Sequence, residues 1–397
     1  MDIKMKTLTI VFSLLFLLRI ANSEDQARPF LFANYYTWYH DGQHEERPWQ
    51  GWAREASRKN PRALARQREG EPPISSAVRP LAGLYDSRDR VVADWHVALA
   101  KAAGIDAFLV DWWGEHLQRD RNAEVGIIAA CEEGDLPWAI LDERAQFHHE
   151  LGDYAGWVIE AMQRYFPKEN YLRIDGRPVW YLYQVAGDPG LTPADFTRLR
   201  RRVEREVGPV FWIVDKIEHD PAAARAGKGN LEKRIPAEWL ALDGVDAFGF
   251  YSTFSNFRAH RYEQLVGRYR HLTNLAHRVG KRMLLPVHPG HDNSHFRDDF
   301  YRMPRRGGDT LRDYLRAAED AGAEIVMITS WNEWPETTVI EPALEWEDPY
   351  HYLRIIAEWR GRTFEPPPLP EGVVTPRREW LRREPKSPPH DRVRVSP

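Results

Sequence analysis

The sequence has a single cysteine, Cys131, among 397 residues. No internal disulfide is therefore possible, and the surrounding helical pattern VGIIAACEE favours a buried apolar side chain over a nucleophile or a ligand. The sequence contains no G-x-S-x-G motif, which argues against a serine-hydrolase elbow. His288, His291 and Asp292 are close enough in sequence to suggest zinc, but no H-E-x-x-H motif accompanies them. We expect neither a metal nor another cofactor.

Long runs of one charge are also absent. The net charge is -4, and no extended basic block is present, which argues against nucleic acid or an anionic membrane as a partner. The hydrophobic content of 43% is typical of a globular chain with a sizeable core. Sixteen Trp, sixteen Tyr and sixteen Phe supply flat rings that suit sugar faces as well as cores. We expect a monomer that binds an uncharged ligand.

The apolar run near the N-terminus is too short to span a membrane. It covers residues 8–18, follows two lysines and is ended by Arg19, whereas a spanning helix needs about 20 apolar residues. This order of segments is typical of a secretory signal peptide. We predict cleavage after Ser23, no integral membrane segment in the mature chain, and a secreted or periplasmic location. A large core without disulfides fits a bacterial periplasm or cell surface.

Short apolar runs recur along the chain, and helical patterns separate most of them. The eight runs lie near Phe30, Ile105, Leu136, Arg177, Gly208, Val245, Lys281 and Ala323. Strands that are apolar on both faces and alternate with helices favour a parallel sheet covered by helices. Eight such units predict an α/β fold of the (β/α)8 TIM barrel type. A doubly wound sheet is the alternative, but no glycine-rich phosphate loop follows the first run.

Turn residues and composition divide the rest of the chain. Apolar residues recur at helical spacing over residues 87–104, which predicts a helix capped by Ser87. The same spacing over residues 309–322 predicts a second helix, capped by Asp309 or Thr310. Residues 40–79 are predicted to form a long loop over one mouth of the barrel. The barrel is predicted over residues 24–363. Residues 364–397, rich in Pro and Arg, predict an extended, disordered tail.

In a parallel barrel, the residues that follow each strand converge at one mouth. Here they are carboxylates, aromatic rings, imidazoles and one amide: Tyr35, Tyr36, Trp38, Trp112, Trp113, Asp142, Glu143, Gln184, Asp215, Tyr251, His288, His291, Asp292, Glu333 and Glu336. We predict that a sugar binds among them.

Glu333 and Glu336 follow the last run, in the segment SWNEWPETT. Two glutamates at i and i+3 on a turn can bring their carboxyl groups to a separation that suits a glycosidic bond. Beside Trp331 and Trp334, one carboxyl would lose hydration and keep its proton, which predicts one acid and one base. The alternative is that both glutamates are solvated, or pair with arginines at the mouth such as Arg144 and Arg297.

Three segments together resemble glycoside hydrolase family 99, the endo-α-mannosidase and endo-α-mannanase family. They are LAGLYDSRDRVVADWHVALAKAAGIDAFLVDWWG, LLPVHPGHDNSHFR and ITSWNEWPETTVIEPA, in the same chain order, and the likeness extends from about Phe30 to Trp359. The family is a (β/α)8 barrel. The resemblance implies a retaining endo-hydrolase of α-mannosides that passes through a 1,2-anhydro sugar.

The resemblance also implies roles for individual residues. Glu333 would deprotonate the sugar 2-hydroxyl, and Glu336 would protonate the leaving oxygen and then activate water. The positions that would contact substrate are Tyr36, Trp113, Glu143, Tyr251, His288, His291, Asp292, Trp331 and Trp334. The Tyr35/Tyr36 and Trp112/Trp113 doublets leave each match ambiguous by one residue, and Asp142 is an alternative to Glu143 as the third acid.

The chain departs from the family beside Glu336. Pro335 stands where His is common, and Thr337 and Thr338 stand where Gly-Thr is usual, which predicts a different backbone around Glu336. Two other functions remain open. One is a glycosyltransferase-like barrel of cell-surface polysaccharide synthesis, and the other is a carbohydrate-binding barrel without turnover. In each case we expect an oligosaccharide or polysaccharide as the partner.

Overall fold

The computed structural model describes residues 28–114, 118–145, 153–183, 190–216, 218–219, 233–251 and 262–371. The predicted signal peptide, Gln184 and residues 372–397 lie outside the described residues. The part of the predicted tail that is described begins with packed chain, because Phe364 is buried with its ring 6.0 Å from that of Tyr350. Packing against the barrel thus continues past the predicted boundary at residue 363.

Within the described residues, eight parallel strands close into a barrel. They are β1 (Phe30–Tyr35), β2 (Ala107–Trp112), β3 (Trp138–Asp142), β4 (Arg177–Leu182), β5 (Phe211–Asp215), β6 (Ala247–Gly249), β7 (Arg282–Val287) and β8 (Ile325–Ile328). Each strand pairs with the next in sequence, and β8 pairs with β1 through Ile325 opposite Phe30. All eight predicted runs are strands, and the predicted (β/α)8 barrel is confirmed.

A helix follows each strand in the part of the chain that is described. These are α1 (Arg90–Ala103), α2 (Gln118–Ala123, Glu124–Ile128 and Ala129–Gly134, the middle turn π-helical), α3 (Tyr154–Tyr165), α4 (Pro193–Val207), α5 (Ala237–Leu240), α6 (Tyr262–His277), α7 (Asp309–Asp320) and α8 (His351–Trp359). Short helical turns lie at Ser57–Lys59, Pro61–Leu64 and Arg306–Gly308, and short strands at Arg173–Ile174, Glu218–His219, Lys233–Arg234, His291–Asp292 and Arg302–Met303.

The ends of α1 show how local sequence sets the helix boundaries. Its cap is Asp89 rather than the predicted Ser87, because the Asp89 carboxylate accepts the N–H groups of Val91 and Val92. The helix stops as predicted at Gly104, whose φ of 82° is a left-handed conformation that glycine adopts without strain. The predicted caps of α7 are wrong, since Gly308 occupies that position without a side-chain cap.

Strand register decides which side chains face the barrel interior. Paired residues on parallel strands share a face, and the residue two positions later returns to it. Asn34 pairs with Leu109, and Asp111 pairs with Leu141. The same face continues at the carboxyl ends of the strands through Tyr36, Asp111, Glu143, Tyr183, Asp215 and Tyr251. The intervening residues, such as Tyr35 and Asp142, face the helices.

The hydrophobic core fills the space between barrel and helices. Trp138, Trp180 and Trp212, one on each of β3, β4 and β5, have no exposed surface. Cys131 on α2 is also fully buried, with a free thiol, as its helical pattern predicted. None of the helices in the described residues has both the length and the apolar character needed to cross a bilayer.

Candidate active site

Glu333 and Glu336 lie in the turn that follows β8. Glu333 is 3% exposed, and its backbone N–H donates to Ser330 Oγ at 2.7 Å. Glu333 Oε1 lies 3.4 Å from Arg54 Nη2, while its Oε2 is buried without a hydrogen-bond partner. The Glu336 side chain is 30% exposed, and its Oε2, 3.9 Å from His291 Nε2, has no hydrogen-bond partner either. Each carboxyl group therefore has one buried oxygen that accepts no hydrogen bond from the protein.

A buried polar network around Glu341 supports the turn that carries Glu333 and Glu336. Glu341 accepts hydrogen bonds from the Tyr85 hydroxyl at 2.8 Å and from Trp334 Nε1 at 3.0 Å. Its other oxygen lies 3.1 Å from His96 Nε2, and neither side chain of this pair has any exposed surface. The network thus anchors Trp334, which lies between Glu333 and Glu336 in sequence.

Asn332 joins the same turn to the end of β1. Its side-chain oxygen accepts from Tyr36 N at 2.7 Å, and its side-chain nitrogen donates to Tyr36 O at 2.9 Å. The Tyr39 hydroxyl donates to Asn332 O and accepts from Trp334 N. These hydrogen bonds hold Asn332 and Trp334, the residues on both sides of Glu333. They therefore fix the direction in which the Glu333 carboxyl group points at the mouth.

The ends of β2 and β3 bring further charged groups to the mouth. Asp111 accepts a hydrogen bond from Trp113 Nε1 at 2.8 Å, and the Arg119 guanidinium lies over the Trp113 ring at 4.2 Å. Asp111 Oδ1 and Arg119 Nη1 are buried without hydrogen-bond partners. Glu143 is 7% exposed. A polar ligand with several hydroxyl groups can satisfy such a set of open donors and acceptors.

Burial changes the acidity of these carboxyl groups. It raises the pKa of Glu333 well above the ordinary value, an effect that Arg54 opposes and the charge of Glu336 increases. Burial raises the pKa of Glu143 too, with the Asp111 charge adding to it. The pKa of Asp111 is raised to about 7, again mainly by burial. Burial thus makes all three carboxyl groups weaker acids than their exposed counterparts.

Aromatic side chains form one wall of the mouth. The Tyr36 hydroxyl donates to the Tyr251 hydroxyl at 2.5 Å, and the Tyr36 ring stacks on Trp38 with centroids 4.5 Å apart. The Tyr183 ring meets Tyr251 edge-on at 5.1 Å. These rings lie beside the carboxyl groups, so apolar and acidic side chains meet at the same mouth.

Comparison with known proteins places the chain in a family. Residues 145–356, more than half of the chain, match the family model described as "Glycosyltransferase WbsX". The chain belongs to the WbsX family.

This WbsX-family chain is also similar to curated proteins described as "Glycoprotein endo-alpha-1,2-mannosidase-like protein". It is 25% identical to the Mus musculus protein over 296 residues, which are 68% of this chain and 59% of that protein. It is 25% identical to the Homo sapiens protein over 301 residues, or 70% of this chain and 59% of that protein. The match thus spans less than two thirds of the length of these relatives.

Solved structures share the fold. The GH99 endo-α-mannosidase from Bacteroides thetaiotaomicron superposes with a TM-score of 0.63 at 19% identity, covering 83% of this chain and 96% of that one. A structure described as "Glycoside hydrolase-like protein" gives 0.57 at 16% identity, covering 85% and 96%. The resemblance to glycoside hydrolase family 99 is confirmed, and the WbsX-family chain has the same barrel.

The structure separates the two aromatic doublets that the sequence left ambiguous. Tyr36 and Trp113 lie at the mouth, whereas Tyr35 points to α1, where its hydroxyl lies 2.9 Å from His96 Nδ1. Trp112 is 1% exposed and packs edge-on against Trp180. Strand alternation is the reason, because neighbouring residues face opposite sides of the barrel wall.

The third-strand acids divide in the same way. Asp142 is fully buried towards the helices, where it accepts hydrogen bonds from the Tyr154 hydroxyl at 2.6 Å and Trp180 Nε1 at 3.0 Å. Glu143 occupies the next position and falls on the inner face. Of the two candidates, Glu143 is therefore the acid that faces the barrel interior.

Three residues predicted to bind substrate are enclosed by protein in this structure, and their contact with a sugar stays a prediction. Trp331, Trp334 and His288 have no exposed surface. Trp331 packs edge-on against Phe108 at 5.1 Å, and the His288 ring meets Tyr314 at 5.1 Å. These rings fill space beneath the carboxyl groups and reduce the hydration of that region.

His291 and Asp292 lie beside Glu336 and have separate partners. His291 Nδ1 lies 3.1 Å from Tyr301 O, and burial lowers the pKa of the His291 imidazole. Asp292 pairs with Arg302 at 3.0 Å, and its backbone N–H donates to Glu336 O at 2.8 Å. No cluster of His, Cys, Asp and Glu that could hold a metal is found among the described residues.

Three charged residues at the mouth, Asp111, Arg119 and Arg54, are not among the site residues predicted from the sequence. Asp111 could have been found, because strand alternation places it on the same face as Trp113. Arg119 and Arg54 had no such signal. Arg119 lies on α2, and Arg54 lies in the loop between β1 and α1, where no sequence period fixes the direction of a side chain.

Thr337, which stands where the resemblance implies glycine, has a backbone conformation that glycine adopts without strain. Its φ is 52°, a left-handed conformation that a β-branched residue rarely adopts. The Thr337 hydroxyl donates to Trp334 O and accepts from the buried Ala77 N–H at 3.2 Å. These bonds hold the threonine in that conformation next to Glu336.

Replacing Thr337 with Val is expected to lower the free energy of unfolding by about 1–3 kcal/mol, because the buried Ala77 N–H loses its acceptor. Thr337→Ser keeps the hydroxyl and removes the branch, so its stability is expected to match or exceed that of the wild type. Urea denaturation of the three proteins measures the difference. Equal stability of the Val and Ser variants would show that the hydroxyl has no such role.

Proposed function

We propose that this protein is a glycoside hydrolase that cleaves within oligosaccharide or polysaccharide chains, with Glu333 and Glu336 as its reactive carboxyl groups. The observation that carries the proposal is the pair of carboxyl groups after β8, each with an oxygen that has no protein partner. They lie at the end of a barrel where enzymes of this architecture have their active sites. The curated relatives described as endo-α-1,2-mannosidase-like support the same activity.

We propose a retaining reaction with neighbouring-group participation, as the resemblance to glycoside hydrolase family 99 implies. Glu333 takes the proton of the sugar 2-hydroxyl, and that oxygen attacks its own anomeric carbon as the glycosidic bond breaks. Glu336 gives its proton to the leaving oxygen. In the second step Glu336 takes a proton from water, the water oxygen opens the 1,2-anhydro ring at the anomeric carbon, and Glu333 returns its proton to O2.

The environments of the two carboxyl groups support these roles. A general base works best with a pKa close to the operating pH, and burial raises the pKa of Glu333 in that direction. Glu336 is the more exposed of the two, as a group that exchanges protons with a leaving group and with water must be. The lowered pKa of His291 means that the imidazole adds no positive charge beside Glu336 near neutral pH.

An α-mannoside or a related α-glycan is the proposed substrate, because the named relatives act on such linkages by their descriptions. Residues 1–23 have the composition of an export signal, so the proposed location is the periplasm or the exterior of the cell.

The description of the family as glycosyltransferases makes sugar transfer the second candidate. Charge argues against a nucleotide-diphosphate donor. The mouth brings together Asp111, Glu143, Glu333 and Glu336 with Arg54 and Arg119, so a diphosphate would meet more acidic groups than basic ones. No glycine-rich phosphate loop follows β1 in the sequence.

Incubation of the purified protein with a panel of α-mannans and α-glucans, followed by mass spectrometry of the products, tests the proposal. New reducing ends are expected, and the first product observed by NMR should keep the α-configuration. Chain extension that requires a nucleotide sugar would favour the transferase. Binding in isothermal titration without new reducing ends would favour a carbohydrate-binding barrel.

A further inference from the structure

Arg54 reaches the active site from the long loop between β1 and α1. Its Nη2 lies 3.4 Å from Glu333 Oε1, and its side chain is 38% exposed while that of Glu333 is 4% exposed. The contact therefore joins a buried carboxyl group to a cation at the rim of the mouth. Arg54 is separated from Glu333 by 279 positions in sequence, so the loop must be held in place for the contact to form.

Several interactions hold Arg54 in this position. Its guanidinium lies over the Phe296 ring at 4.5 Å, and its backbone N–H donates to Ser75 Oγ at 2.9 Å. Asn60, six residues later, donates from its side chain to Ser294 O at 3.0 Å, which ties the loop to the segment that carries Phe296. A guanidinium group that stacks on a ring through one face keeps the N–H groups along its edge free to contact a carboxylate.

Charged and titratable groups face Glu333 from several elements. Glu336 on the same turn and Asp111 at the end of β2 raise the pKa of Glu333, whereas Arg54 and Arg119 lower it. The remaining neighbours are Glu143, Tyr36, Tyr39 and Tyr251. Within the described residues, Arg54 is the cationic side chain found within 4.0 Å of the Glu333 carboxyl group.

We propose that Arg54 is a positioning residue of the active site, whose guanidinium orients the Glu333 carboxyl group and stabilises its ionised form. This inference rests on the proposed role of Glu333 as a base, which requires that Glu333 lose its proton before the sugar arrives. A glycan that covers the mouth removes water from the exposed part of Arg54, and the attraction between the two charges becomes stronger. Substrate binding and activation of the base are thereby linked.

The test compares Arg54→Gln, Arg54→Lys and a matched control. Arg62→Gln is the control, because Arg62 lies on the same loop, stacks on Phe300 at 4.4 Å and is not part of the contact with Glu333. Without the positive charge, the pKa of Glu333 rises further, so the acidic limb of the kcat/KM profile should move to higher pH by about 1–3 units in Arg54→Gln. Arg54→Lys should restore part of the shift, and Arg62→Gln should match the wild type.

A second measurement does not depend on turnover. Infrared difference titration follows the carboxyl band that is lost in Glu333→Gln, and its midpoint should rise in Arg54→Gln by the same amount as the kinetic limb. An unchanged midpoint would overturn the proposal, even if Arg54→Gln loses activity at every pH, because that loss would then be structural. If the wild type cleaves no glycan, the proposed function fails while the titration still decides the role of Arg54.

Discussion

Glu336→Gln is expected to lower kcat/KM on a natural glycan by about 10²–10⁴-fold, the usual contribution of a positioned proton donor. Glutamine keeps the size of the side chain and cannot give a proton to the leaving oxygen. The Glu336 backbone oxygen still accepts from Asp292 N, and Glu336 Oε2 has no partner in the protein, so the fold should not change. Reducing-end assays measure the activity, and circular dichroism checks the fold.

Glu333→Gln is expected to cause a loss of similar size for a different reason, since the 2-hydroxyl then has no base. The two roles can be separated with a synthetic substrate whose leaving group is a weakly basic phenol, which departs without a proton. Such a substrate should restore much of the activity of Glu336→Gln and little of that of Glu333→Gln. Equal recovery in both variants would contradict the assignment.

Glu347→Gln is the matched control for this pair. Glu347 is an exposed glutamate in the segment after the reactive turn, so the same substitution there should leave kcat/KM unchanged. Retained activity in both Glu333→Gln and Glu336→Gln would show that neither carboxyl group takes part.

Glu341→Ala is expected to lower the free energy of unfolding by about 2–5 kcal/mol, because each buried donor that loses its acceptor costs about 1–3 kcal/mol. The substitution leaves the buried Tyr85 hydroxyl and Trp334 Nε1 without their acceptor, and it removes the carboxyl oxygen that lies 3.1 Å from His96 Nε2. Urea denaturation measures the change.

Two further substitutions test whether the loss of stability in Glu341→Ala comes from the missing hydrogen-bond acceptor. Glu341→Gln retains an oxygen that can accept from Tyr85 or Trp334, so its loss should be smaller than that of Glu341→Ala. Glu347→Ala removes an exposed glutamate and should change stability by about 0.5 kcal/mol or less. If Glu341→Ala is as stable as Glu347→Ala, the buried network does not support the turn.

The fold could be predicted because its signals are local and repeated. Each strand is a short apolar run. In a closed barrel, alternate residues of each strand face the interior, and the register decides which ones. Tyr36, Trp113 and Glu143 lie on this inner face, and alternation along the strands, applied strictly, would have resolved the doublets and added Asp111.

The positions of other site residues could not be predicted, because no period applies to them. Trp331 and Trp334 are neighbours of Glu333 in sequence, but the turn directs their rings to the core and its carboxyl group to the mouth. Arg54 depends on a loop whose path is set by distant contacts with Ser75, Ser294 and Phe296. Such contacts are visible in coordinates and have no counterpart in the pattern of one sequence.

The bonds between Asn332 and Tyr36 connect the first strand to the turn after the last one. A ribosome must therefore synthesise the chain as far as residue 341 before the reactive turn has both its neighbour on β1 and its buried support. A shorter nascent polypeptide already contains the residues of the aromatic wall and most of the strands. Glu333 and Glu336 are not yet held in place in it. The arrangement of Glu333 and Glu336 is thus one of the final features that this protein acquires during its synthesis.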